Sequence, residues 1–449
     1  MNEKSKNRAC CDAVAPRRIV ITGIGIVCPL GNDVKTMWGN ILNCRNGMGI
    51  TTIFDASTYP TKFCSEVKNY DIKKYTKNPE LHKDGNRHSR FVIGAVAQAC
   101  QQAKIDIETE NPKDGIARRR MGIYLGAGEG SVDNENFFNA IVQGWGENSS
   151  QMDWKKWAAV AFGKMLPVRE LEQEPNMPAA HISMFTGARG PVRSCLTACA
   201  ASTQAVGEAF KMLQSNQADI MIAGGAHSMI HPLGIMGFNR LTALSTRNDS
   251  PATASRPFTA SRDGFVIGEG AAIVILETLE SAKKRGVEIL AEIIGYGSSN
   301  DAFRVTDMHE EARGAVQAME AALKDAKLSY KDIDYVSTHG TSTAENDKIE
   351  TLALKKVFKE EAKNTPASSI KSMMGHLIGA AGAAELITCI LAIRDNILPP
   401  TINLNDPDPA LDLDYVPNKP RKAQVDIVMK ESFGFGGQNN VVIIKRFSQ

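Results

Sequence analysis

Long apolar runs are missing from this chain of 449 residues. No stretch of roughly 18 uncharged apolar residues occurs, which argues against a membrane-spanning helix. Residues 1–16 are polar, carry charges of both signs and lack the apolar core of a signal peptide. They read as a disordered tail, and the cytoplasm is the expected compartment. An excess of either charge is also absent, since 52 Lys and Arg against 50 Asp and Glu leave +2. That balance gives no electrostatic case for nucleic acid, and any basic patch has to be local. The cysteines number nine, an odd count, and no Cys-x-x-Cys pair occurs. A disulfide framework or a zinc site is disfavoured, and free thiols in a reducing compartment are expected.

What is present is an ordinary globular composition, with 43% hydrophobic and 23% charged residues. The length allows two large halves packed as one body. Arg17 to Val27 reads as a buried strand and turn whose Gly23 and Gly25 begin a dinucleotide-type motif, but Cys28 stands where its third glycine belongs. A structural turn is the better reading. Helices are expected at 90–103, 312–326, 347–358 and 377–394, and strands at 121–130, 218–223, 271–276, 334–338 and 440–445. The stretch 131–190 holds Trp145, Trp154 and Trp157 and reads as a surface excursion that returns to the core. Strands alternate with helices in both halves, which predicts α/β layers and a duplicated unit.

Cys199 lies in a run of small residues, Thr197-Ala198-Cys199-Ala200-Ala201, where a strand meets a long helix. A thiol at a helix N-terminus feels the positive end of the dipole, which favours the thiolate, and the exposed N–H groups there suit an oxyanion. Neighbouring Cys195 reads as a small buried hydrophobe. Nucleophilic thiol chemistry needs partners, and two histidines sit beside glycine at strand or loop ends: His339 in Thr338-His339-Gly340-Thr341-Ser342-Thr343, and His376 in Lys371-Ser372-Met373-Met374-Gly375-His376. Phe433-Gly434-Phe435-Gly436-Gly437 is a loop able to bring backbone N–H groups near a reacting atom. The segment 256–270, with Arg256, Arg262 and Glu269, reads as turn chemistry with a buried ion pair. A metal trio is the rival to a Cys/His/His catalytic set, but no spacing follows a metal-ligand pattern.

Together, Thr197-Ala198-Cys199, His339 to Thr343, Lys371-Ser372 with Gly375-His376, and Gly434-Phe435-Gly436-Gly437 resemble the elongating β-ketoacyl-acyl-carrier-protein synthases of the thiolase superfamily. The resemblance runs from about Arg17 to the C-terminus. It implies a thiolase-like fold of two similar α/β halves in five layers: residues 1–16 a tail, 17–286 the half carrying the cysteine, and 287–449 the half carrying both histidines. It implies that Cys199 takes an acyl chain, that His339 and His376 drive decarboxylation of malonyl-carrier protein, and that Lys371 orders them with Glu350 as its charge partner. The N–H groups of Cys199 and Phe435 would form the oxyanion hole, with Phe435 and Phe238 as gates. Glu129, Thr341 and Thr343 would line the substrate pocket, and Lys83, Arg87 and Arg90 would meet the acidic carrier protein. No metal or organic cofactor is implied; a homodimer is.

Three departures bear on the substrate. The connection 130–190 is long, Glu129 stands where the family has an apolar residue, and the loop 300–308 carries Phe303, Arg304, Asp307 and Met308 where Tyr, His, Ser and Pro are usual. These features keep open a ketosynthase of an unusual lipid, polyene or polyketide pathway. A catalytically silent chain-length partner is disfavoured by the presence of Cys199, His339, His376 and Lys371.

Overall fold

Ten strands form one continuous sheet in a computed structural model, which describes residues 17–128, 130, 133–146 and 150–448. The first five are β1 (Ile19–Val27), β2 (Met121–Ala127), β3 (Val192–Cys195), β4 (Ile220–His227) and β5 (Gly270–Thr278). The second five are β6 (Ala291–Asn300), β7 (Tyr335–Ser337), β8 (Ala367–Ser368), β9 (Ile427–Gly434) and β10 (Gln438–Lys445). Their spatial order is 3-2-4-5-1 followed by 6-10-9-7-8, so the second half repeats the first. The pairing sense repeats too. β1 and β4 flank β5 antiparallel while β4, β2 and β3 run parallel; β6 and β9 flank β10 antiparallel while β9, β7 and β8 run parallel. In the sheet itself only three ladder pairs, from Ile19↔Ile293 to Ile21↔Ala291, join the two halves.

Side-chain alternation along a strand sorts neighbouring residues into different cores. On β5, Val274 and Leu276 face a central core while Ile273 and Ile275 face an outer one; on β10, Val442 and Ile444 face the centre and Val441 and Ile443 face the opposite side. All eight are buried, and a one-residue slip would exchange both sets. Two helices fill the centre, α5 (Ala201–Gln214) and α8 (Ala381–Asp395). Outside the first half lie α1 (Arg87–Gln102) and α4 (Met177–Thr186); outside the second lie α6 (Arg313–Ala326) and α7 (Ala344–Phe358). The result is the five-layered, thiolase-like α/β arrangement, helix–sheet–helix–sheet–helix.

Two readings change, and a cluster of buried histidines joins them. Gly23 and Gly25 are not in a turn: they sit inside β1, where a Cβ would lie 2.1 Å from the Ala99 carbonyl oxygen and 1.9 Å from that of Ala95. Their role is to let α1 press onto the strand. Hydropathy patterning missed the two-residue β8 and also β9, whose apolar run Lys430 and Glu431 interrupt. His82, His88 and His181, which stand among polar residues in the sequence, are all buried. His181 Nε2 lies 2.9 Å from Glu172 Oε1 and its Nδ1 lies 2.8 Å from His82 Nδ1. This cluster ties the long excursion to the first half. The excursion itself contains α2 (Asn134–Trp145), α3 (Trp154–Lys164) and then α4, whose Ile182 and Phe185 rejoin the core. No helix among the described residues is long and apolar enough to cross a membrane. The tail 1–16, with Cys10 and Cys11, lies outside the described residues.

Candidate active site

The repeated topology sets two equivalent elbows side by side. A short 3-10 turn, Ala198–Ala200, leads from β3 into α5, and its counterpart Ile378–Ala380 leads into α8. Each opens on a left-handed residue, Ala198 at φ 47° and Ile378 at φ 45°. For a β-branched side chain that conformation costs on the order of 1–3 kcal/mol and persists only because the surroundings impose it. Cys199 sits in the first elbow, and His376 stands two residues ahead of the second.

His339 follows β7 and completes a cluster in which the thiol sulfur and one nitrogen of each imidazole all lie within 4.8 Å of one another. All three residues are buried. The ring of His339 packs edge-on to that of His376 at 5.3 Å, with Phe433 behind the first and Phe265 5.2 Å from the second. Segment 265–268 belongs to the positioning of His376, since the His376 N–H donates to the Val266 carbonyl at 2.8 Å and the Gly268 N–H to the His376 carbonyl at 2.9 Å.

Hydrogen bonding fixes both tautomers. Lys371 Nζ lies 3.4 Å from His339 Nδ1 and donates to the His339 carbonyl at 2.5 Å. An ammonium has no lone pair, so Nδ1 accepts and the proton stays on Nε2. His376 Nδ1 accepts the Ile378 N–H at 3.3 Å, leaving its Nε2–H without a protein partner. Burial first, then the Lys371 charge, holds both imidazoles well below the usual histidine value. Two neutral N–H donors therefore share one space with the thiol.

The thiol is not a thiolate. Burial pushes Cys199 up to about 11, against the Lys371 charge and the backbone N–H groups of Phe435 and Cys199 that act on its sulfur. The sequence placed a helix terminus here and expected the dipole to win, but desolvation of a buried sulfur is the larger effect. The Phe435 loop reaches the thiol because residue 434 is glycine: a Cβ there would lie 3.1 Å from the Thr197 carbonyl oxygen and 3.3 Å from the Cys199 nitrogen. The Cys/His/His donor set is compact enough for one metal ion. A raised thiol and a lysine ammonium beside His339 both oppose that use, since a metal needs the thiolate and repels the ammonium.

The partner of Lys371 differs from the expected one. Its ammonium pairs with Glu385 Oε1 on α8, both side chains being 2% exposed. Glu350 instead accepts the N–H groups of His339 at 2.5 Å and Gly340 at 2.7 Å, fixing the backbone rather than the lysine. Burial holds the Glu350 carboxyl up at about 7, and it faces Glu431. Glu385 had a signal in the sequence: it is the lone charge from Leu377 to Ile393, in a helix buried on all sides.

Over the cluster opens a cavity of about 530 Å³, with Cys199, His339, His376, Phe265, Phe433 and Phe435 at its base and sides. Residues 16–282 match the family described as "Beta-ketoacyl synthase, N-terminal domain", and residues 290–405 match "Beta-ketoacyl synthase, C-terminal domain". The chain belongs to the β-ketoacyl synthase family. Over 431 residues it is 41% identical to a 3-oxoacyl-[acyl-carrier-protein] synthase 2 of Coxiella burnetii, covering 96% of this chain and 99% of that one. A β-ketoacyl synthase structure from Burkholderia phymatum superimposes with a TM-score of 0.83 at 32% identity, covering 96% of this chain and all (100%) of the other. A type II PKS ketosynthase, solved with its acyl-carrier protein, gives a TM-score of 0.82 at 32% identity, covering 96% and 100% of the two chains. This β-ketoacyl synthase is thus an acyl-transferring condensing enzyme.

The remaining expected site residues separate into groups. Thr341 and Thr343 line the cavity, with their hydroxyls 2.9 Å apart, and Thr343 also caps α7 by accepting the Asn346 N–H. Phe238 is half-buried and packs edge-on to Phe265 at 5.5 Å, so the ring that lines the cavity is Phe265. Glu129 lies outside the described residues. At the mouth stand Arg240, Asp263, Thr306, Asp307, Met308 and Glu345, three of them from the departing loop. That loop meets the Phe435 loop where the Gly436 N–H donates to the Val305 carbonyl at 2.7 Å.

The basic patch is smaller than the sequence implied. Arg87 forks onto the fully buried Glu269, with Nε 2.9 Å from Oε2, and its other arm is closer still. It is a structural cation, not a free one. Lys83 is exposed and 3.6 Å from Glu80, and Arg90 is half-buried. Arg87→Ala is expected to destabilise the fold by about 2 kcal/mol, read by denaturant melting. That falls below the roughly 3–5 kcal/mol of a fully buried broken pair, because the guanidinium is partly solvated and Ser228 and the Val67 N–H still serve Glu269. Unchanged stability would mean Glu269 has no need of the arginine.

Proposed function

We propose that this enzyme joins an acyl group held on Cys199 to a malonyl group on acyl-carrier protein, extending the chain by two carbons in fatty-acid synthesis. The observation that carries this reading is the meeting of one thiol and two tautomer-fixed imidazole Nε2–H groups at the base of a cavity. The Cys199 sulfur attacks the acyl thioester, the tetrahedral oxyanion rests on the N–H groups of Cys199 and Phe435, and the carrier thiol leaves with the thiol proton. Malonyl-carrier protein then loses carbon dioxide. The electron pair of the broken bond becomes an enolate whose oxygen accepts from His339 and His376 Nε2–H. Its carbon attacks the acyl-enzyme, a second oxyanion forms at the same two N–H groups, and collapse expels the Cys199 sulfur as a thiolate, which takes a proton from solvent to restore the thiol, and releases the β-ketoacyl product. Neutral donors suit this chemistry because the charge they must meet arises only during reaction. Lys371 positions His339, Phe435 gates the cavity with Phe238 acting behind the Phe265 ring, Thr341 and Thr343 contact the substrate arm, and Glu350 holds the His339 backbone.

The residues 17–286 and 287–449 form the two halves, on the support of the repeated strand order. The carrier protein meets the cavity rim at Arg240, with exposed Lys83 as a further cation for its acidic surface. A homodimer fits β3, an edge strand with exposed Val192 and Leu196 at its flank. A cytoplasmic site fits free thiols at Cys28, Cys64, Cys100 and Cys389.

His339→Ala and His376→Ala are expected to leave acyl transfer to Cys199 at least partly intact while lowering carbon dioxide release by about 10²–10³-fold, the scale of losing one oxyanion donor. Intact-mass spectrometry reads the first step and labelled carbon dioxide the second. Release at the wild-type rate by both variants would remove the enolate role. The type II PKS ketosynthase among the structural neighbours supports a second reading, a specialised acyl substrate, which a panel of acyl-carrier proteins in the same loading assay separates from the first.

A further inference from the structure

We propose that Lys430 is a positioning residue for the condensation: by sharing the Glu385 carboxylate with Lys371, it gives the base of the site one surplus positive charge and ties together the elements that carry the nucleophile and the oxyanion loop. The inference rests on the condensing reading of the site.

Lys430 lies on β9, which runs directly into Phe433 and Phe435. Its side chain is 1% exposed, and Nζ is 2.8 Å from Glu385 Oε2 while Lys371 holds Oε1. The same ammonium donates to Thr203 Oγ1 at 3.1 Å, to the Glu431 carbonyl at 2.7 Å and to Ser432 Oγ. Thr203 is on the first turn of α5, four residues past Cys199, and its hydroxyl is 2.8 Å from that of Ser432. One cation thus joins the helix of the nucleophile, the helix of Glu385 and the strand of the oxyanion loop.

Lys371 alone already neutralises Glu385, so pairing does not require the second ammonium. Two lysines on one carboxylate leave +1. The reaction brings a malonyl carboxylate and then an enolate beside His339 and His376, and added negative charge raises the proton affinity of an imidazole. A surplus cation opposes that rise and keeps both rings neutral donors. His339 faces Lys371, Lys430, His376 and, through its N–H, Glu350; His376 faces Lys371, Lys430 and His227. Lys430 itself faces Glu385, Lys371, Cys389 and Glu431; burial first and then the Lys371 charge lower it from the usual lysine value, and the charge of and hydrogen bond to Glu385 oppose that and hold the ammonium. Burial and their mutual repulsion raise both carboxyls of the Glu350–Glu431 pair, and the N–H groups of His339 and Gly340 hold Glu350 on the backbone side of His339, so the surplus charge is that of the Lys371–Glu385–Lys430 triad.

The test compares Lys430→Met, Lys430→Gln and Lys430→Arg in the full chain, with thermal melting, mass-detected loading of Cys199 and the pH profile of carbon dioxide release from malonyl-carrier protein. Lys430→Gln keeps a donor for Thr203 without the charge and serves where the methionine variant does not fold. In Met and Gln the acid limb of carbon dioxide release is expected to move up by roughly one pH unit, the scale of one nearby charge. KM for malonyl-carrier protein is expected to rise several-fold with Cys199 loading within about twofold of wild type, and Lys430→Arg to restore both. An acid limb and KM equal to wild type in either folded charge-removing variant, loss of Cys199 loading in both, or an arginine variant no better than methionine overturns the proposal. Failure of the condensing reading would show separately, as wild-type enzyme that neither loads acyl groups nor releases carbon dioxide.

Discussion

Cys199→Ala is expected to abolish acyl loading and with it all condensation. No second thiol among the described residues can stand in, for a geometric reason. Cys64 belongs to the same apolar cluster as Cys199, but its thiol is turned to Thr51 and Glu66, and burial raises it further than Cys199. Cys195 donates to the Ala201 carbonyl and is pushed up to about 12. Neither has the Phe435 N–H at its sulfur. Intact-mass spectrometry after incubation with acyl-carrier protein reads the outcome, and an acyl adduct on the alanine variant would remove Cys199 from the mechanism. The wild-type thiol carries a pH signature as well. With the thiol held near 11, its alkylation by iodoacetamide should climb about tenfold per pH unit from 6 to 9 without levelling, because only the thiolate reacts. A plateau near pH 7 would mean a stable thiolate, as the helix terminus alone would have provided.

Glu385→Leu is expected to cost the fold about 3–5 kcal/mol, enough to unfold a marginally stable protein at ordinary temperature. The substitution leaves Lys371 and Lys430, both nearly sealed from solvent, facing each other across an apolar side chain. Desolvated ammonium groups without a counter-charge do not stay buried as ions; they lose their protons or open the core. The expected phenotype is poor recovery of folded protein and a large fall in the denaturant midpoint. Glu385→Leu combined with Lys430→Met and Lys371→Met, which removes all three charges, should recover most of that loss while remaining inactive. A single variant as stable as wild type would show that water or rearrangement already serves the lysines.

Much of the fold was open to the sequence because its signals are local. Glycine-bounded apolar runs gave β1, β5 and β10, and helical periodicity gave α1, α6, α7 and α8 within a few residues. Strand β9 escaped because Lys430 and Glu431 look like surface charges until the strand is seen sandwiched between two cores, with one side chain turned to each. Gly23 and Gly25 looked like a turn because sequence records that a side chain is missing, not which neighbour occupies its place.

For the site, the sequence determined the reacting groups: a small-residue elbow around Cys199, two histidines beside glycines, and a glycine loop ending at Phe435 are each written in consecutive residues. Their being one constellation follows from the repeated strand order, which sets the β3–α5 and β8–α8 elbows face to face across 180 residues. What only the tertiary structure decided is which charge meets which. Glu350 and Glu385 are both acidic residues on helices of the second half; the lone charge at Glu385 marked it as a buried group, but nothing local says which lysine either one meets. Packing of α8 against α5 and β9 turned Glu385 to both lysines, while Glu350 on α7 met the backbone of His339. The same packing turned Arg87 from a surface cation into the partner of a buried glutamate and made Cys199 a thiol rather than a thiolate. Protonation and pairing depend on desolvation, and desolvation belongs to the whole fold, not to any stretch of the chain.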